Sequence, residues 1–386
     1  MLTLRTRKAA FHNEPDGLGR EVVRVSCDVN RPRPLREGEI FLIRGNEVPE
    51  GYRAYVVMSD DPERTILSNS AAPLIVLPKE FSYLEHGDVV AVDWPKGGFD
   101  VLYRRQSLHN SFLVTERCNH YCLMCSQPPR DVNDSWLVDE ILAAIPLVDP
   151  DTKEIGFTGG EPTLLGDGLI AILRKAKSFL PRTSLHILTN GRRFAGEAFA
   201  AKYGSVGHPD MMAGIPIYSD VGTIHDYVVQ SDGAFDDTIR GILNLKRHRQ
   251  KVEIRVVVHK QTFARLPQLG EFIARNLMMV DHVALMGLEI TGFTRANLPD
   301  LWIDPWDYRE ELSEAVEILS ENRMNVSVYN HPLCVTDEKI WPFTRQSISD
   351  WKNEYMPECE GCTKQGDCGG FFSSAKHRYS SHIAPI

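Results

Sequence analysis

The chain is predicted to be α/β: a parallel sheet with helices outside it, a β-rich region before it and a cysteine-bearing extension after it. Three observations carry this reading. From residue 111 onward, strand-like runs alternate with helical patterns. Ahead of that point, short β-branched and aromatic runs follow one another with turn residues between them. The cysteines fall in two groups more than two hundred residues apart.

In chain order, the β-rich region comprises EIFLIRG (39–45), YRAYVVMS (52–59), PLIVLP (73–78), DVVAVDW (88–94) and FDVLYRR (99–105). Asn46, Pro49–Gly51, His86–Asp88 and Pro95–Gly98 punctuate them, the spacing of a small antiparallel sheet or barrel. Next come SFLVTE (111–116), EIGFTG (154–159), SLHILTN (184–190), MMAGIPIYS (211–219), VEIRVVVH (252–259) and DHVALMGL (281–288). Helical periodicity lies between them at 169–180, 234–249 and 266–277. Six strands alternating with helices imply a complete or partial (β/α)6 barrel, with its site at the C-terminal ends of the strands. The run Lys246–Lys251 (KRHRQK) is expected to be the solvated end of a helix, where cations complement the dipole. We expect three regions: a β-rich domain at 1–110, the barrel at 111–323 and an extension at 324–386.

Length and composition narrow the function. A chain of 386 residues with 42% hydrophobic and 25% charged residues is globular and long enough for two or three domains. It needs no disulfide staples, so its eight cysteines require another explanation. A net charge of −9 argues against a nucleic-acid coat or a membrane-surface binder. No run approaches the ~18 apolar residues of a membrane span, and MLTLRTRKAAFH lacks a signal-peptide core. A reducing cytoplasm is the expected compartment, where clustered cysteines mean metal or redox chemistry.

Cys118, Cys122 and Cys125 form a C-x3-C-x2-C run directly after the first barrel strand. Three thiolates at this spacing can wrap three corners of one compact polynuclear centre. A [4Fe–4S] cluster held by three cysteines leaves one iron open for chemistry. Structural zinc, which normally wants four protein ligands, or reduced cysteines by chance are the alternatives. His120 lies inside the run, but its ligation would strain a loop already holding three thiolates. Cys359, Cys362 and Cys368 make a C-x2-C-x5-C group, with Cys334 upstream, while Cys27 stands alone as a packed thiol.

CNHYCLMC resembles the cysteine signature of radical S-adenosylmethionine (SAM) enzymes. The resemblance implies that the open iron chelates SAM, whose reductive cleavage yields a 5′-deoxyadenosyl radical. The usually aromatic position before the last cysteine is Met124, whose thioether can pack against adenine. Thr158, Gly159, Gly160, Glu161 and Pro162, at the end of the second strand, are similar to the motif that binds the SAM amino group. By the same resemblance Asn190, in the Thr189–Gly191 turn, and Ser219 belong to the cofactor site, Arg255 partners the SAM carboxylate, and Gly287 and Glu289 line the adenine side. The cluster ligands are the only catalytic residues the resemblance implies.

The second group is similar to part of the SPASM/twitch extensions of these enzymes. Phe372 stands where the larger form continues with a cysteine, so one auxiliary [4Fe–4S] cluster on Cys334, Cys359, Cys362 and Cys368 is the better fit; a zinc ribbon is the alternative. Across most of the chain, HNSFLVTERCNHYCLMCSQPP and GFTGGEPTLL resemble the radical SAM maturases of His-Xaa-Ser peptide systems. That implies post-translational modification, including cross-linking, of a ribosomally made precursor peptide. It also implies a second radical SAM maturase and a low-potential donor, flavodoxin or ferredoxin, as partners. A radical SAM enzyme acting on a small molecule, or a zinc-stabilised binding protein without activity, are the competing readings.

Overall fold

The computed structural model describes residues 3–14, 17–60, 72–346 and 354–386, and the chain divides into two compact units. The first contains 1–112, 135–155 and 171–183; the second contains 113–134, 156–170 and 184–386.

A mixed sheet organises the first unit. Its strands are β1 (Arg5–Thr6), β2 (Ala10–His12), β3 (Arg20–Ser26), β4 (Glu39–Leu42), β5 (Ala54–Met58), β6 (Leu74–Leu77), β7 (Val89–Asp93) and β8 (Gly98–Tyr103). They lie in the order β1-β8-β7-β3-β4-β5-β6-β2. β3 to β6 run parallel, so the antiparallel sheet or barrel expected for this region is corrected. The reason is visible in the strands themselves. Every residue of β4, β5 and β6 is buried, and strands covered on both faces read as continuous apolar runs, as parallel strands usually do. Ile40, Leu42, Val56, Ile75 and Leu77 enter one core, while Phe41, Tyr55, Val57, Leu74 and Val76 enter the other.

β3 (REVVRVS) was not among the expected strands because its charges obscure the alternation. Each arginine has a partner. Arg24 donates to Glu39 at 2.7 Å; Arg20 donates to Asp100 at 2.7 Å and lies 5.0 Å from the Trp136 ring centre. Trp136 opens α1 (Trp136–Ala144), which packs on β3 and β7. Cys27 packs against the first core, and burial pushes its thiol pKa up, as suits an inert thiol.

The second sheet contains β9 (Asn110–Thr115), β10 (Glu154–Gly159), β11 (Ser184–Leu188), β12 (Met211–Pro216), β13 (Lys251–Val258), β14 (His282–Gly287), β15 (Val326–Tyr329) and β16 (Thr344–Arg345). They lie in chain order with β9 and β16 at the edges, and β11 to β16 pair in parallel. β9 to β14 are the six expected strands; β15 and β16 extend them. On β13, Val252, Ile254, Val256 and Val258 are buried, and α2 (Ala234–Arg247) packs on this strand. Glu253, Arg255 and Val257 alternate with them on the opposite face. The basic run closes α2 as expected, with Lys246 and Arg247 in its last turn and Arg247, Arg249 and Lys251 exposed; ion pairs join Lys246 to Asp281 at 2.6 Å, His248 to Glu197 at 2.8 Å and Lys251 to Asp210 at 2.8 Å. Among the described residues no helix is long and apolar enough to cross a membrane.

Candidate cluster and cofactor site

The three cysteines of the first group occupy the loop that leaves β9, and neighbouring strand ends hold that loop by its backbone. Gly160 N–H donates to the Thr115 carbonyl at 2.8 Å, and Glu161 N–H donates to the Arg117 carbonyl at 2.8 Å. A Cβ on Gly159 would stand 2.2 Å from Thr115 O, and one on Gly160 would stand 2.1 Å from Arg117 O. These glycines therefore admit the chain's own backbone, which brings the Gly159–Pro162 turn against Cys118. On the far side Gly292, at φ +52°, leaves no room for a Cβ, which would meet Cys125 O at 2.2 Å. Phe293 N–H donates to that carbonyl at 2.8 Å. Asn297 donates to Leu123 O at 2.8 Å, and Leu123 N–H donates to Val228 O at 2.9 Å. Gly292 gave no sequence signal, because only the fold brings it to the cysteine loop.

Charge and burial fit this loop to a metal cluster. Burial pushes the Cys118 thiol pKa up to about 11 and raises those of Cys122 and Cys125; Cys118 and Cys122 also feel their fellow cysteines. Bare thiols held this close resist ionisation, and a cationic centre offsets that cost by binding thiolates. Among the described residues, no three His, Cys, Asp or Glu side chains converge as on one metal ion. The donor set of three soft thiolates suits iron–sulfur chemistry. His120 is buried with both ring nitrogens unpartnered among the described residues, and burial lowers its pKa to about 4. Asp134 braces the start of the loop, accepting from Thr115 Oγ1 at 2.8 Å, Glu116 N–H at 2.6 Å and Arg117 at 3.1 Å.

The other expected residues are distributed as follows. Thr158 is the half-buried residue before Gly159 at the end of β10, and Pro162 is buried beside Glu161. Glu161 staples two strand ends together: its carboxylate accepts from Thr163 N–H and Oγ1, from Thr189 Oγ1 at 2.7 Å and from Asn190 N–H at 2.6 Å. Burial pushes its pKa up against these hydrogen bonds. Asn190 donates to Asn119 Oδ1 at 2.7 Å, tying the β11 turn to the cysteine loop. Met124 is buried with Tyr218, Val228, Val229, Ala234 and Leu301, so its side chain belongs to an apolar cluster in this structure. The buried Ser219 hydroxyl accepts from Val221 N–H at 3.1 Å.

Arg255 is held by Glu253 at 2.8 Å. Glu253 also meets His282 at 2.7 Å and His186 at 3.4 Å, and His282 contacts Ser327 at 3.0 Å. Burial opposes the Glu253 charge, but hydrogen bonds from His186 and His282 and the Arg255 charge hold its carboxyl well below the usual range. Gly287 abuts the Asn330 backbone, where a Cβ would stand 2.4 Å from the carbonyl.

Cys334, Cys359, Cys362 and Cys368 line one small cavity together with Tyr355 and Lys364. Cys334 follows β15; the other three arrive from the chain's end. Leu333 N–H and Gly370 N–H approach Cys368 Sγ at 3.4 and 3.5 Å, and Ile386 N–H approaches Cys362 Sγ at 3.5 Å. Burial raises the Cys334 and Cys359 thiol pKa values. Four thiols around one cavity, with N–H groups directed at sulfur, form a soft donor set of the kind that serves iron–sulfur or zinc chemistry.

With this geometry in view, the matches to known proteins are specific. Residues 112–273 match the family model of the radical SAM superfamily. The chain is 30% identical over 159 residues to the pre-heme d1 synthase of Dinoroseobacter shibae, covering 40% of this chain and 38% of that protein. It is 35% identical over 98 residues to the GTP 3′,8-cyclase of Streptomyces coelicolor, covering 23% of this chain and 28% of that protein. The chain thus spans well under half the length of the curated relatives it matches. The solved structure of native anSMEcpe with bound AdoMet covers 72% of this chain and 92% of its own at a TM-score of 0.50 and 14% identity. Residues 112–273 of the parallel-sheet domain, which carry the cysteine loop, are thus similar to the radical SAM superfamily.

Proposed function

We propose that this chain is a radical SAM enzyme that modifies, including by cross-linking, a ribosomally made His-Xaa-Ser-type peptide. The observation that carries the reading is the loop bearing Cys118, Cys122 and Cys125, pinned at the ends of parallel strands beside Gly159–Pro162. When bound, the cluster supplies the electron that cleaves the SAM sulfonium, giving methionine and a 5′-deoxyadenosyl radical that takes a hydrogen atom from the substrate. The chain's own residues hold and exclude. Cys118, Cys122 and Cys125 would ligate three irons. Carbonyls of the Gly159–Pro162 turn would accept from the SAM ammonium, and Thr158, Glu161, Asn190, Ser219, Arg255 and Met124 would complete the cofactor site. Cys334, Cys359, Cys362 and Cys368 would hold an auxiliary [4Fe–4S] cluster within a twitch-like extension at 324–386, following the β-rich domain at 1–110 and the barrel at 111–323.

Support for a peptide substrate comes from the similarity of HNSFLVTERCNHYCLMCSQPP to the His-Xaa-Ser maturases and from the four-cysteine cavity. A cytoplasmic setting, a flavodoxin or ferredoxin donor and a second maturase belong to the same proposal. A second reading, a small-molecule substrate, is favoured by the pre-heme d1 synthase and GTP 3′,8-cyclase matches. Anaerobically reconstituted protein with SAM and dithionite should form 5′-deoxyadenosine. Coexpression with a His-Xaa-Ser peptide should change the peptide mass; 5′-deoxyadenosine without a mass change would favour the small-molecule reading.

A further inference from the structure

A cavity of about 70 Å³ opens at the ends of β14 and β15 beneath the chain's last segment. Its position is set by two walls. Leu288, on one side, packs against the apolar cluster that contains Met124 and touches Cys122 and Leu123. Pro332, on the other, also lines the cavity of Cys334, Cys359, Cys362 and Cys368. The cavity therefore lies between the two cysteine groups. Ile290, Val335, Phe371 and Ile383 form its apolar lining, with Asn330, Ser374 and Ser380 among its polar neighbours.

One cation breaks that lining. The Arg378 guanidinium lies 3.8 Å from the Trp302 ring centre, and both residues line the cavity. Its neighbours have other partners: Arg309 stacks on Trp306, which stacks in turn on His382, and Tyr379 donates to Glu358 at 3.0 Å. Among the described residues the Arg378 guanidinium makes no hydrogen bond and no ion pair. Stacking on an indole fixes the plane of a guanidinium while leaving its edge donors directed outward. Such a fork matches a carboxylate in two hydrogen bonds.

We propose that this cavity is a substrate subsite for an apolar side chain adjoining a carboxylate, with Arg378 on Trp302 as the carboxylate-binding residue. The inference rests on the peptide reading above and adds to it the chemistry of the segment presented between the two centres. The carboxylate has two sources, an Asp or Glu side chain or a chain terminus. Both present the same planar anion.

The test uses full-length, anaerobically reconstituted protein with SAM, titrated calorimetrically with synthetic peptides. Ac-Leu-Asp-Leu-NH2 and Ac-Leu-Leu-OH represent the two sources; Ac-Leu-Asn-Leu-NH2 and Ac-Leu-Leu-NH2 are their neutral counterparts. One carboxylate peptide should bind about tenfold more tightly than its neutral counterpart, and which one does so names the source. Arg378→Gln should remove that preference and Arg378→Lys should restore part of it, because a point charge lacks the fork. Lys376→Gln, which removes a nearby positive charge outside the cavity, should leave the preference intact. Val335→Trp, which fills the cavity, should weaken binding of all four peptides at least tenfold. Equal binding of charged and neutral peptides by the wild type, or an unchanged preference in Arg378→Gln, overturns the proposal. Unaltered affinities in Val335→Trp would do the same. The wild type's 5′-deoxyadenosine formation is measured separately: its absence alongside Arg378-dependent binding defeats the enzymatic reading and leaves the subsite standing.

Discussion

The two cysteine groups are built in opposite ways. Cys118, Cys122 and Cys125 lie within eight residues on one loop, and that loop is immobilised by backbone contacts from Gly159–Glu161, Val228–Val229 and Gly292–Phe293. The other four thiols come from separate stretches, Cys334 after β15 and the rest from 359–368, and meet around one cavity. A three-ligand site must leave one position open without losing its shape, so rigidity has to come from the surrounding backbone. A four-ligand site of the kind proposed for the second group would gain its rigidity from the metal centre itself, which crosslinks distant segments. The comparison predicts that damage to the first site spreads through glycine contacts, whereas damage to the second follows from ligand loss.

The largest effect is expected from Cys118→Ala, Cys122→Ala or Cys125→Ala. Each should abolish 5′-deoxyadenosine formation in soluble protein; full SAM cleavage by any of them would remove the assignment. Replacing Cys359 and Cys362 together should lower bound iron from about eight to about four per chain. Four irons with one zinc in the unaltered protein would instead identify the second group as a ribbon.

Gly160→Ala separates the two designs more sharply. Its Cβ would collide with the Arg117 carbonyl, 2.1 Å away, and displace the loop carrying Cys118. Iron should fall to about four per chain with the auxiliary group still loaded; eight retained irons would show that the glycine contacts do not shape the first site. The polar group behind Arg255 affects the common scaffold. Glu253→Gln should cost about 3 kcal/mol of stability in urea, because it leaves a buried ion network short of its anion. The folded carboxyl titrates below its ordinary value of 4.5, so its stabilisation is present above that pH and is lost as the pH falls below it. The variant should lose less stability than the wild type over that acid range; equal acid sensitivity would count against the network. The smallest effect belongs to Gly361, at φ +79° with nothing within 4 Å of a built Cβ. Gly361→Ala should cost only about 1 kcal/mol for the left-handed backbone and leave iron content unchanged.

Legibility followed the range of the interactions. The six strands β9 to β14 announced themselves because each is a local run of apolar residues bounded by turns. β3 did not, since Arg20, Glu21 and Arg24 find their partners far along the chain: Arg20 at Asp100, Glu21 at Arg53 and Arg24 at Glu39. β15 and β16 are short, at four and two residues, and offered little pattern. The direction of β3 to β6 was equally hidden, because local turn residues do not say which strand comes next in the sheet.

The same division holds in the site. Sequence alone determined the three-cysteine loop, the Gly159–Pro162 turn and their attachment to strand ends, because ligand spacing and turn chemistry act over a few residues. Only tertiary structure decided that Gly160 and Gly292 make room for the cysteine loop, that Glu161 joins β10 to β11, and that Glu253 on β13 meets His282 on β14. Those contacts depend on which parallel strands become neighbours, and that choice comes from burying apolar faces across the whole sheet. Arg378 shows the principle most plainly: a lone arginine near the chain's end acquires meaning only when the fold sets it on Trp302 beside a cavity.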